Sequence, residues 1–250
     1  MQLLVSVRDA AEAVAALGGG ADIIDAKEPR HGALGAVTPA TLLAIAATVP
    51  PHRSLSVALG DVLDAVGARA VATALALPAR RAPSFFKLGC AGVADAAVVR
   101  EALTAAREVV HGRAAGGRLI AVAYADAAHT GSLDASALLD VAAEAGADGV
   151  LLDTAWKGAG TLLDLLEPAA LRAWVMRARR HGLLVALAGS VGVPELAVLV
   201  AMGADIIGVR GAAAEGGRDG TVSAARVRAL RVALHQGRED AVESVDLIDA

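Results

Sequence analysis

"GADIID", residues 20–25, returns as "GADGVLLD" at 146–153 and as "GADIIGVR" at 203–210. Each copy opens on a glycine that closes an alanine-rich segment of helical period. It then turns through Ala-Asp, enters a short apolar run and ends on a polar residue. A glycine just past a helix supplies the left-handed turn that stops it. A short, β-rich apolar run bounded by turns reads as a buried strand. The repeat is therefore a helix–turn–strand unit used three times. The same alternation runs along the whole chain. Strands are expected near Leu3–Val7, Ile23–Ala26, Leu55–Leu59, Phe85–Leu88, Leu119–Tyr124, Gly149–Asp153, Leu184–Ala188 and Ile206–Val209. Helical segments such as "DAAEAVAALGGG", "ASALLDVAAEAGAD" and "PELAVLVAMGAD" lie between them. Strands alternating with helices build parallel sheets. Eight units within 250 residues point to one α/β domain, a (β/α)8 TIM barrel over residues 1–236, with a doubly wound sheet as the alternative. The acidic stretch after Gln236, "GREDAVESVDLIDA", is expected to be a C-terminal tail (237–250) outside the barrel.

Bulk composition removes several function classes. The net charge is −4, and no Lys/Arg cluster is interleaved with aromatics, so a nucleic-acid partner is not expected. Apolar runs stop well short of the roughly 20 residues that span a bilayer, so no membrane partner is expected either. The chain enters "QLLVSV" without a basic region or cleavage site, so no signal peptide is expected and the cytoplasm is the expected compartment. The single cysteine, Cys90, excludes an internal disulfide and a thiolate metal cluster, and reads as a small buried hydrophobe. No His/Asp/Glu group has metal-ligand spacing, and neither a nucleophile elbow nor a long P-loop appears, so no metal or organic cofactor is expected.

The chemistry shows in the choice of cation. The chain has three lysines against twenty arginines. Solvated positions accept either, so a lysine that remains is a candidate for work that arginine cannot do. Arginine is always protonated and forms no imine, whereas lysine can lose its proton and attack a carbonyl. Lys27 ends the second strand, Lys87 ends the fourth in "SFFKLG", and Lys157 follows the sixth in "LLDTAWKG". All three fall at C-terminal strand ends or just beyond, where barrel enzymes build their sites. If such positions make up about a quarter of the chain, chance puts all three there roughly once in sixty. Asp25 and Lys27 are two apart on a strand and share a face, while Ile24 and Ala26 face the helices. Asp153 ends the sixth strand. Two carboxylates and up to three ammonium groups would then share one mouth. Crowding and partial burial can bring a lysine from about 10.4 to about 7–8, a difference of roughly 3–4 kcal/mol, which frees an amine as nucleophile.

"ALAGS" (186–190) follows the seventh strand and "GVRGA" (208–212) the eighth. Loops at these two places commonly hold phosphate in this fold, so Gly189, Ser190, Arg210 and Gly211 are the candidate phosphate ligands. Arg8 and "HGALGA" (31–36) are candidates for a second anion. Tyr124 and Asp126 end the fifth strand and could line the mouth or serve structural hydrogen bonds. Ser6 and Ser56 read as core-satisfied hydroxyls, and His31 and His129 lie in loops.

Taken together and in order, "LLVSVRDAAEAVAALGGGADIIDAKEPRHGALGA", "KLG", "AVAYAD", "GADGVLLDTAWKG", "GLLVALAGS" and "GADIIGVRGAA" resemble the (5-formylfuran-3-yl)methyl phosphate synthases of methanofuran biosynthesis. That family is also called 4-(hydroxymethyl)-2-furancarboxaldehyde-phosphate synthase. The resemblance covers the chain to about Leu234. Glu28, Ala33, Ala159 and Ala214 depart from the family pattern, which has Asn, Ser, an acidic residue and Cys there. The resemblance implies a TIM barrel that condenses two molecules of glyceraldehyde 3-phosphate to the furan aldehyde phosphate, losing phosphate and water without a cofactor or metal. It further implies Lys27 as the Schiff-base lysine, Lys87 and Lys157 as supporting lysines, and Asp25 and Asp153 as the aspartates. Three other readings compete: another Schiff-base sugar-phosphate aldolase or transaldolase, a phosphosugar isomerase, and a non-catalytic barrel that binds a phosphate metabolite. Whether the alanine-rich helices pack a homo-oligomer or only the barrel is open at this level.

Overall fold

The computed structural model describes residues 1–74, 82–114, 116–156, 158 and 160–246. Eight parallel strands close on themselves in sequence order. They are β1 (Gln2–Val7), β2 (Ile23–Ala26), β3 (Ser54–Asp61), β4 (Ser84–Gly89), β5 (Gly117–Tyr124), β6 (Gly149–Asp153), β7 (Leu184–Leu187) and β8 (Ile206–Val209). Closure is made by β1 against β8, with Leu3 opposite Ile207 and Val5 opposite Val209. The TIM barrel expected from the sequence is therefore the observed fold.

The helices α1 (Ala10–Gly18), α2 (Pro39–Thr48), α3 (Ala65–Ala74), α4 (Ala96–Arg113), α5 (Ala127–Thr130), α6 (Ala135–Glu144), α7 (Leu162–Leu165), α8 (Pro168–Arg180), α9 (Val193–Ala201) and α10 (Ala224–Asp246) follow in chain order. Several start where a side-chain oxygen takes the orphan amides of the first turn. Asp9 accepts from Glu12, Asp95 from Ala97 and Val98, and Asp134 from Ser136 and Ala137. The sequence boundary at 236/237 falls inside α10, where Gly237 is buried against α9, and residues 247–250 lie outside the described part. After β8 the chain forms a small antiparallel hairpin, β9 (Ala214–Glu215) with β10 (Thr221–Val222). No helix among the described residues is long and apolar enough to cross a membrane.

The Gly-Ala-Asp repeat has a clear structural job. Gly20, Gly146 and Gly203 adopt φ of +93°, +71° and +80°, values that cost glycine nothing and other residues a good deal. Each aspartate then sits at the foot of a strand and accepts the amide of the neighbouring strand. Asp22 takes Leu3 N at 2.8 Å, Asp148 takes Leu119 N at 2.7 Å and Asp205 takes Val185 N at 2.8 Å. Their own amides donate back to the carbonyls of Leu3, Leu119 and Val185. Each carboxylate also meets a basic side chain: Arg231, His111 and Arg179 in turn. The repeat thus staples β1–β2, β5–β6 and β7–β8 at their N-terminal ends.

Alternation along the strands divides the apolar residues into two sets. Leu3, Val5, Ile24, Leu55, Val150, Val185 and Ile207 face the helices. Leu4, Ile23, Phe85, Ile120, Leu151 and Ile206 fill the barrel interior. Above this inner apolar layer the same faces carry polar groups, as the next section describes. The interior is packed tightly at its floor. A Cβ at Gly149 would lie 2.6 Å from the Leu184 carbonyl oxygen and 2.9 Å from Ile120 Cδ1. Gly149→Ala is therefore expected to cost about 1–3 kcal/mol by overpacking, and to lower the melting temperature by several degrees. A thermal melt followed by circular dichroism checks this, and an unchanged midpoint would contradict the packing described here.

Candidate active site

The strand faces that point inward above the apolar layer bring Ser6, Asp25, Ser56, Lys87 and Asp153 together, with Lys27 directly after the end of β2. Register places them: Ser6 lies opposite Asp25, Asp25 opposite Ser56, and Ala58 opposite Lys87. The β3–β4 pairing shifts register between Ala58 and Gly60, next to Lys87. Asp25 is completely buried, and Lys27 and Lys87 are 6% and 4% exposed. Charges this deep persist only with partners. Asp25 Oδ2 accepts from Ser6 Oγ and from Lys87 Nζ, both at 2.7 Å. Its Oδ1 and the Ser56 hydroxyl are buried without a hydrogen bond among the described residues. Burial pulls the Asp25 carboxyl upward. The charges of Lys87 and then Lys27, with hydrogen bonds from Lys87 and Ser6, outweigh it and hold the group below its usual 3.8. Asp25 is thus a fixed anion between cations. Asp153, 1% exposed, accepts the amide of Thr154 at 2.7 Å.

These site residues, all except the fully buried Asp25, line a cavity of about 290 Å3 at the C-terminal end of the barrel. Lys27, Lys87, Ser6, Ser56 and Asp153 form one wall, and the turns after β7 and β8 form another. Its size suits a small metabolite. Lys157 lies outside the described residues. Among the described residues, no three His, Cys, Asp or Glu side chains converge as a metal-ligand group.

The candidate phosphate turns border the cavity at Gly189, Ser190 and Gly211. Gly189 has φ +109°, and a Cβ there would sit 2.9 Å from Thr154 Cγ2, so only glycine lets the β7 turn pass the end of β6. Ser190 follows at φ 54°, the one non-glycine residue among those described with positive φ. Such a backbone turns amides outward and is sparsely populated for side chains other than Asn and Asp.

Arg210 departs from expectation. Its place after β8 points to a phosphate ligand, whereas in the structure its guanidinium, though it borders the cavity, is hydrogen-bonded within the protein. Nη1 donates to Glu12 Oε2 at 2.5 Å and to the Ser6 carbonyl at 3.0 Å. Nη2 donates to Glu12 Oε1 at 3.1 Å and the Gly220 carbonyl at 2.6 Å, and Nε donates to the Arg218 carbonyl at 3.0 Å. Every donor direction of the fork is used. Arg8, read as a second anion site, is likewise spent on Glu12 and on the Asp219 carbonyl. Glu12 carried no signal of its own in the sequence. Arg218, which borders the cavity together with Arg210, carried only its place as a basic residue inside the glycine-rich turn "EGGRDG" (215–220).

The remaining candidates have structural partners. Tyr124 is buried and donates to Asp61 Oδ1 at 2.8 Å. Burial and the Asp61 charge push its phenol up, so it stays a hydroxyl donor. Burial first and Asp61 second push the Cys90 thiol up to about 12, leaving it an inert apolar filler. Asp126 accepts the amides of Ala155 and Trp156 and so ties down the start of the loop after β6. His129 stacks on Trp156 with ring centroids 4.9 Å apart.

Comparison with known proteins agrees with this geometry. A family model described as 4-HFC-P synthase matches residues 3–231. A protein of Methanopyrus kandleri named (5-formylfuran-3-yl)methyl phosphate synthase is 39% identical over 235 residues, which is 93% of this chain and 98% of its own length. A protein of Methanothermobacter thermautotrophicus with the same name is 37% identical over 238 residues, 94% of this chain and 99% of its own. Among solved structures, phosphoribosyl anthranilate isomerase from Thermus thermophilus aligns with a TM-score of 0.61 at 18% identity, over 94% of this chain and 99% of that one. The 3-hexulose-6-phosphate synthase from Salmonella typhimurium aligns with a TM-score of 0.58 at 17% identity, over 95% of this chain and 100% of that one. At such identities these two structures speak to the barrel alone.

Proposed function

The chain belongs to the 4-HFC-P synthase family and is an enzyme, and we propose that it condenses two molecules of glyceraldehyde 3-phosphate to (5-formylfuran-3-yl)methyl phosphate through an imine on Lys27. The atoms balance when one phosphate and two waters leave, which makes the enzyme a carbon–oxygen lyase. The observation that carries this reading is a buried lysine residue, Lys27, that borders the cavity two positions from an ionised Asp25, which itself anchors a second lysine.

The residue chemistry supports each step. Joining two aldehydes needs a carbanion equivalent, and a lysine imine supplies one as its enamine. Nitrogen bonds to the aldehyde carbon, the carbonyl oxygen leaves as water, and a proton leaves the neighbouring carbon. Asp25, held ionised beside Lys87 and Lys27, suits a fixed role, holding Lys87 in place through its hydrogen bond. Asp153 suits proton transfer to and from the reacting carbons and oxygens. Lys87 and Lys157 would stabilise the oxyanions and the departing phosphate, and the amides of the Gly189–Ser190 and Gly211 turns would hold an ester. The furan is read as a precursor of methanofuran or a related cofactor.

The test is direct. Purified protein with glyceraldehyde 3-phosphate is expected to release inorganic phosphate and develop the ultraviolet band of a conjugated furan aldehyde. Borohydride added during turnover should fix the adduct on the peptide that contains Lys27. A non-absorbing aldol product would favour a sugar-phosphate aldolase instead. Label on another lysine would overturn the role given to Lys27.

A further inference from the structure

The hairpin after β8 is held unusually firmly for a surface turn. Arg210 binds the carbonyls of Arg218 and Gly220, and Arg8 binds the carbonyl of Asp219 at 3.1 Å. Three consecutive carbonyls are therefore fixed by two guanidinium groups. Both arginines rest on the buried carboxylate of Glu12, which Arg8 Nη2 reaches at 2.9 Å and Arg210 Nη1 at 2.5 Å. The backbone of 218–220 is thus tied to β1, α1 and β8 together.

This anchoring presents one side chain. Arg218 is half-buried on the cavity wall, on the side of the loop that follows Lys27. Its Nη2 donates to the carbonyls of Pro29 at 2.9 Å and Gly32 at 2.8 Å, and so bridges the hairpin to that loop. Its Nε and Nη1 make no hydrogen bond to the described residues, so their N–H groups are left as donors for a ligand. Burial weighs against its charge, and Asp153 is the strongest of the charges that favour it. A partly dehydrated, preorganised guanidinium with donors still open matches a phosphate ester in charge and in hydrogen-bonding capacity.

We propose that Arg218, whose backbone lies against Gly211, is a binding residue for a phosphate monoester of the substrate, a role that neither the family match nor the sequence motifs assign to it. It rests on the reading above only for the identity of that ester. Arg218→Gln lies on a half-exposed turn and leaves the Glu12 cluster in place. Glycerol 3-phosphate, an ester with no carbonyl to react, serves as the binding probe in calorimetry. The variant is expected to bind it about 10- to 100-fold more weakly than the parent. KM for glyceraldehyde 3-phosphate should rise to a similar degree, and Arg218→Lys should restore part of the loss. Borohydride trapping of unphosphorylated glyceraldehyde on Lys27 should be unaffected.

Equal affinity of parent and Arg218→Gln for glycerol 3-phosphate would overturn the proposal. So would no measurable binding by the parent, or an equal loss of trapping with glyceraldehyde, which would indicate a structural role. The two readings fail separately. A parent that forms no furan but loses ester affinity on substitution refutes the reaction and keeps the site. A parent that forms furan, with a variant that binds and turns over like it, refutes only the site.

Discussion

Lys27→Met is expected to lower kcat/KM for furan formation on the order of 10^4-fold or more, as removal of a covalent nucleophile does elsewhere. The fold should survive. Asp25 keeps both its hydrogen bonds, from Ser6 and Lys87, and loses only the more distant charge of Lys27. Lys27→Arg sharpens the result. It retains the positive charge beside Asp25 but cannot form an imine, so turnover should be lost to the same extent while glycerol 3-phosphate still binds. Single-turnover absorbance and mass mapping of the borohydride adduct make the measurement. Turnover within tenfold of the parent in either variant would remove the covalent role.

Glu12→Gln carries the largest expected cost in stability. Glu12 is 1% exposed, and it neutralises Arg210 and Arg8 while accepting the amide of Arg8 at 2.8 Å. Burial pulls its carboxyl upward, but hydrogen bonds from Arg210 and Arg8 and the Arg210 charge prevail and hold it below its usual 4.5. Taking one partner from a buried ion pair leaves the other charge uncompensated, at about 3–5 kcal/mol. In a chain of this size that lowers the melting temperature by roughly 10 °C. The sign with pH follows from the lowered value. Stability from an ionised Glu12 is complete above the unfolded-state pKa and is lost as pH falls through the folded-state one. The parent should therefore lose stability on acidification across that range, and Glu12→Gln should lose less. Urea unfolding at several acid pH values measures both quantities. Equal stability of parent and variant near neutral pH would show that the cluster contributes nothing net.

Much of this site was readable before any coordinates. The strands were, because each is a short apolar run between turn residues. Asp25 and Lys27 were, because the period of two on β2 fixes their common face whatever surrounds them. Lys87 was readable as a residue at a strand end, but its bond to Asp25 was not, since the two strands are separated by β3. The partner of Arg210 was not legible, for a physical reason. The arginine's place after β8 suggested an anion site, yet the anion it meets is Glu12, which lies 198 residues earlier and reaches it only when the barrel closes. Arg218 escaped notice because a glycine-rich turn announces its backbone and says nothing about where its one long side chain goes.

The three Gly-Ala-Asp turns carry a last implication. They brace one rim of the cylinder with carboxylates that do not line the cavity, while Lys27, Lys87 and Arg218 border it at the opposite rim. Shape and reactivity are thereby entrusted to different ends of the same strands. Heredity can revise the chemistry at one end without reopening the hoop at the other.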